Sequence, residues 1–209
     1  MSTTRNYRSE RRSQQAQETR RIIRTSARRL FEQNGFSATT VASIAAEAKV
    51  SVATVYAAFG SKAGILSEMM DALEELAAGD EDPATVIFAE TDPVRQLSLF
   101  VHWVRTLFER GEPLVRAARS ALGDADVAAM TETGDRRRLE GANLLVSAWF
   151  DVGALNPGLS AEEGAHSLWL LTSAELYLNA VDVLGWNADS YEAWVLKVSS
   201  QALFGFNSD

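Results

Sequence analysis

The sequence predicts an all-α protein, and three observations carry that prediction. Apolar residues recur at helical spacing in nearly every segment of the 209-residue chain. Start and stop residues stand where such helices need them, at Gly35, Thr40, Ser51, Ser61 and Asp92-Pro93. Two short helical stretches, 41–48 and 52–59, are separated only by Lys49-Val50 before the cap Ser51, so the chain must turn sharply there.

Taken in order, residues 1–16 are rich in Arg, Ser and Gln with almost no apolar side chains. A disordered basic arm is expected, carrying Arg5, Arg8, Arg11 and Arg12. The first helix is expected over 17–34, with Ile23, Ala27, Leu30 and Phe31 inward and Gly35 as its left-handed stop. Thr40 caps the 41–48 helix, whose inner face holds Val41, Ile44, Ala45 and Ala48. Ser51 caps the 52–59 helix, with Val52, Val55 and Phe59 turned inward. Two short helices joined so tightly read as a helix-turn-helix, whose second helix enters the DNA major groove. A fourth helix starts after Ser61 and runs to about Ala78, striped with Leu66, Met69, Met70, Leu73 and Leu76.

The Gly- and Asp-rich stretch 79–83 breaks the pattern. Beyond it, helices are expected over 84–89, from Asp92-Pro93 to Gly111, over 113–122 and over 124–152. Asn156-Pro157-Gly158 reads as a turn. From Ser160 a single helix is expected, apolar on nearly every side between 165 and 184, and a last helix follows over 189–205. A helix apolar all round must be covered on more than one side. A partner subunit supplies the second cover in this reading, with Leu178, Val181, Trp194 and Val198 in a four-helix dimer interface. The expected domains are an arm 1–16, a helix-turn-helix domain 17–62, a connecting helix 63–79 and a C-terminal helical-bundle domain 80–209.

Composition narrows the function. The chain is 46% hydrophobic and 23% charged, as globular proteins are. No apolar run approaches the ~20 residues that span a bilayer, so no membrane partner is expected. There is no Cys, only His102 and His166, and neither a glycine-rich phosphate loop nor a Gly-x-Ser-x-Gly elbow. Neither metal, cofactor nor enzymatic activity is expected, and the lack of Cys suits a reducing cytoplasm. The net charge of −8 is unevenly divided: residues 1–62 hold 11 Lys/Arg against 4 Asp/Glu, and the remainder 9 against 24. A cationic end beside a helix-turn-helix is the electrostatic footprint of DNA binding. Tyr56 and Lys62 are expected at phosphates, while Ser51, Val52, Ala53 and Thr54 lead the second helix toward base edges.

The run Ile22-Ile23-Arg24-Thr25-Ser26-Ala27-Arg28-Arg29-Leu30-Phe31 continues through Asn34-Gly35-Phe36, Thr39-Thr40-Val41 and Ile44-Ala45. It ends through Val50-Ser51, Val55-Tyr56, Phe59 and Ser61-Lys62. In this register it resembles the DNA-binding segment of the TetR family of transcriptional regulators. The resemblance covers the first third of the chain closely, and the rest in helical organisation and length. It implies that Thr40 also contacts the DNA backbone, and that the protein dimerises through its C-terminal helices. It implies too a small-molecule effector in the C-terminal domain, for which Phe100, Trp103, Phe108, Trp149, Trp169 and Tyr177 are candidate lining residues; the same aromatics at helical spacing also suit plain core. The function expected is a repressor that leaves a palindromic duplex operator when a hydrophobic or aromatic ligand binds. The alternative is a ligand-independent DNA-binding protein whose C-terminal domain only dimerises or docks a protein. Three positions depart from the family pattern: Lys49 where Gly is usual, Ala57-Ala58 where an aromatic and His are common, and Gly64 where Glu would close a capping box with Ser61.

Overall fold

The computed structural model describes residues 3–78 and 81–205, with side chains over 11–74 and 81–205. All regular structure among these residues is helical. The helices are α1 (Thr3–Ala38), α2 (Val41–Glu47), α3 (Val52–Phe59), α4 (Lys62–Ala78), α5 (Pro83–Ala89), α6 (Pro93–Ser120), α7 (Ala125–Asp151), α8 (Ala161–Leu171), α9 (Ala174–Asp182) and α10 (Ala188–Phe204).

Three helix boundaries differ from the sequence reading. The arm expected to be disordered over 1–16 is helical from Thr3, and its residues 11–16 are exposed throughout. Arg, Gln, Glu and Ser carry little helix penalty once a stable helix follows to extend. The side chains of Arg5 and Arg8 lie outside the described residues. Pro113 does not start a new helix but lies inside α6. The apolar helix expected from Ser160 breaks at Thr172-Ser173. There Ser173 caps α9 by accepting from the Leu176 amide, and Arg138 donates to the Trp169 and Thr172 carbonyls that end α8.

The chain forms two compact units. One comprises Met1–Asp71 and Pro113–Met130, the other Ala72–Glu112 and Thr131–Asp209. The sequence reading had assigned residues 113–130 to the C-terminal domain. In the first unit Ile23, Ala27, Phe31, Phe36, Ile44, Ala45, Val55, Ile65 and Leu66 are buried. In the second, Trp149, Tyr177 and Tyr191 are the bulkiest fully buried side chains. Gly164 permits close packing there, because a Cβ at that position would meet Val146 Cγ1 at 2.9 Å. No single helix among the described residues is long and apolar enough to cross a membrane.

Candidate functional site

The ends of the two short helices and the turn between them are set by local hydrogen bonds. The Thr40 hydroxyl accepts from the Ser43 amide at 3.0 Å, and the Ser43 hydroxyl accepts from the Thr40 amide at 3.1 Å, a closed capping box. The Ser51 hydroxyl accepts from the Thr54 amide at 3.0 Å and starts α3. Between the helices the Val50 amide donates to Ala45 and the Lys49 amide to Ala46, at 2.9 and 3.2 Å. These two bonds are a Schellman motif, and they require a left-handed residue at Lys49, whose φ is 55°. Lysine there costs about 1 kcal/mol relative to glycine. The turn sets α2 and α3 at 108°, within the range of helix-turn-helix motifs.

α3 carries no charged residue, yet much of it faces out. Val52 is 40% and Tyr56 52% exposed; Ser51, Ala53 and Ala57 are also exposed and Thr54 half so. Val52 therefore does not turn inward as the periodicity had suggested. Val55 is buried and Ala58 and Phe59 half-buried, and they form the inner side of α3. A rigidly capped helix that presents small apolar groups, hydroxyls and one tyrosine has the shape and chemistry to lie along base edges.

Lys62, expected at a phosphate, is engaged within the fold. Its ammonium donates to the carbonyls of Phe36 at 2.6 Å and Thr39 at 2.8 Å, and lies 4.0 Å from the Phe36 ring centroid. Partial burial pulls its pKa down, with Asp124 opposing. Lys62 thus ties the start of α4 to the end of α1. A second tie, which the sequence reading missed, is Arg20. It donates to the Ala58 carbonyl and to Glu68 on α4, with its guanidinium 4.6 Å from the Phe59 ring centroid. Arg24 adds a contact to Glu68 at 3.4 Å. Arg21, Arg28 and Arg29 are likewise paired, with Glu18, Glu32 and Glu47. Lys49, exposed at the turn, has no ion pair among the described residues. The departure at position 64 also has a reason: a Cβ on Gly64 would sit 2.1 Å from the Phe59 carbonyl oxygen.

The second unit holds a cleft of about 240 Å³ whose wall is mostly apolar. Of the aromatic candidates, Phe100 and Trp103 line it. The other four are held in packing away from it. The Trp149 indole N–H donates to Gln96 Oε1 at 2.6 Å, and its ring meets Phe204 edge-on. Phe108 packs on Tyr177, which packs on Tyr191, with centroids 5.4 and 5.1 Å apart. The Trp169 N–H donates to the Asp135 carbonyl, and the Arg138 guanidinium lies 5.2 Å from the ring. Leu178, Val181, Trp194 and Val198 are half-buried in the single chain, whereas Leu170, Val183 and Leu184 are 59–75% exposed.

Residues 23–69 match the family described as bacterial regulatory proteins, tetR family. A putative TetR-family regulator from Syntrophomonas wolfei has the same fold, with a TM-score of 0.74 at 19% identity over 88% of this chain and 94% of that one. NalD, the secondary repressor of the MexAB-OprM multidrug efflux pump in Pseudomonas aeruginosa, gives 0.71 at 21% identity over 91% and 98%. A complex of SmeT with triclosan gives 0.67 at 19% identity over 90% and 92%. No curated protein sequence matches the chain significantly. The match thus gives residues 23–69 the DNA-binding segment of that family, and the likeness to its solved members is one of fold.

Proposed function

We propose, on the premise of a TetR-family helix-turn-helix, that this chain is a homodimeric repressor that releases a palindromic DNA operator when a small hydrophobic molecule binds its C-terminal unit. The observation that carries the DNA-binding side is the uncharged, outward face of α3, held at 108° to α2 by a capped Schellman turn. Ser51, Val52, Ala53 and Thr54 would read bases; Thr40 and Tyr56 would contact the backbone. Lys62, spent on two carbonyls, supports the fold of the motif instead. The exposed Leu170, Val183 and Leu184 favour a second copy as the cover of α8 and α9, with Leu178, Val181, Trp194 and Val198 beside them.

The apolar cleft with Phe100 and Trp103 on its wall supports an effector site. α4 begins in one unit and ends in the other, since the division falls between Asp71 and Ala72. A ligand preferring one setting of α4 would change operator affinity, by the roughly 5–150-fold typical of such coupling. The alternative, a C-terminal unit that only dimerises or docks a protein, requires no ligand response. Enrichment of duplexes from a random pool tests the first half, with an inverted repeat as the expected product. A pool that stays random would refute sequence-specific binding. Titration of hydrophobic compounds into the protein–operator complex tests the second half. Release is expected; ligand binding without any change in operator affinity would favour the alternative.

A further inference from the structure

A cleft persists inside a helical unit only if side chains are kept out of it. The cleft side of α7 carries Gly134, Arg137, Gly141 and Leu145, a single stripe at helical spacing. Glycine weakens a helix interior relative to alanine, so two of them on one stripe need a reason. Admission of a neighbouring helix is not that reason, because nothing lies within 4 Å of the Cβ either glycine would carry. They leave bare backbone beside open space. Across that space stand Ile87, Phe88, Phe100 and Leu107, all apolar.

The charged groups at the cleft are Glu74, Asp82, Arg137 and Arg138. Three are already engaged. The Asp82 carboxylate accepts from the Thr85 amide and hydroxyl, both at 3.0 Å. The Arg138 guanidinium donates to the carbonyls that end α8. Glu74 has a partner of its own. Arg137 has none among the described residues. The uncommitted charge at this apolar cleft is therefore a guanidinium, a group whose planar fork matches a carboxylate.

The geometry points to a small apolar monocarboxylic acid as the ligand of this cleft. Its hydrocarbon body would lie against α7 at Gly134 and Gly141 and against the Ile87–Phe100 wall, and its carboxylate would reach Arg137. This rests on the effector reading above and names its chemical class. At about 240 Å³ the cleft is smaller than the roughly 300–1,000 Å³ of sites for drug-sized ligands, which favours a short chain or a single ring.

The test is calorimetric titration of the intact protein, without DNA, with octanoate, octan-1-ol and octylamine. Octanoate is expected to bind tightest of the three. Arg137→Gln should weaken octanoate about fivefold, the yield of one partly exposed ion pair, and leave octan-1-ol unchanged. Gly141→Leu should fill the cleft and abolish binding while cooperative unfolding and duplex binding persist; Gly134→Leu is the second filler if the first does not fold. Octan-1-ol or octylamine binding as tightly as octanoate, and lost in Gly141→Leu, would overturn the acid class while leaving the cleft as the effector site. Octanoate binding untouched by either filler, or no binding by any probe, overturns the proposal; the effector reading would then stand or fall on the operator-release titration alone.

Discussion

Glycines at two places in this molecule do opposite work. Gly64, at the start of α4, lies so close to the end of α3 that an added Cβ would sit 2.1 Å from a backbone oxygen. Gly134 and Gly141, on α7, face open space. The first leaves no slack: α3 is pinned by Gly64 packing and by Arg20 on the Ala58 carbonyl, while Lys62 on the Phe36 and Thr39 carbonyls ties the adjoining start of α4 to the end of α1. The second leaves room beside a rigid helix. A surface that matches a fixed partner such as a DNA groove gains from being held in one geometry, since little ordering is lost on binding. A cleft for a small molecule gains from unfilled volume instead.

Substitutions that invert these roles have effects of graded size. The largest effect is expected from Ala53→Glu, which places a carboxylate on the outward face of α3 against phosphate-rich DNA. Operator affinity should fall about 100-fold or more, because like charges at an interface cost several kcal/mol, while the melting temperature stays unchanged. Fluorescence anisotropy with a labelled duplex, beside a thermal melt, checks both. Next comes Gly64→Ala. Overpacking against backbone should destabilise by about 1–3 kcal/mol, read as a lowered urea midpoint; a neutral result would show that α3 is not pinned there. Lys62→Met should cost about 1–2 kcal/mol from two lost charge-assisted hydrogen bonds on a half-exposed group, read in the same urea titration. The slope of log affinity against log salt should stay as in the parent protein, since no phosphate contact is removed; a slope reduced by about one would return Lys62 to the DNA. The smallest effect runs the other way. Gly141→Ala should stabilise the protein by about 0.5–1 kcal/mol, raising the melting temperature by about 1–4 °C.

Much of the fold was legible because its signals are local. Thr40, Ser51 and Ser160 cap helices through side chains three residues away from their partners, and α3 runs over the very residues that Ser51 and Gly60 bracket. Gly35, with φ 76°, interrupts α1 where the sequence placed a stop. What was not legible depends on distant partners. The break at Thr172-Ser173 needs Arg138, more than thirty residues earlier, to take up the freed carbonyls. Lys62 reads as a surface cation until Phe36 and Thr39 supply carbonyls for it. Trp149 and Tyr177 have the spacing of cleft residues, yet Gln96, Phe204, Phe108 and Tyr191 hold them in the core. Of the six aromatics, Phe100 and Trp103 line the cleft, and the glycines beside it carry no side chain for a pattern to find.

In the proposed complex α3 lies in the major groove of each half-site. The most direct measurement carries a photo-crosslinking phenylalanine analogue at position 53 in place of Ala53, with a control at position 32 in place of the exposed Glu32 on α1. Both proteins are irradiated on the selected operator and the linked nucleotides are mapped. Crosslinks are expected from position 53 to bases in two major-groove segments with centres about 34–36 Å apart, and none to bases from position 32. Crosslinks to bases from position 32 with none from position 53 would contradict this placement of α3.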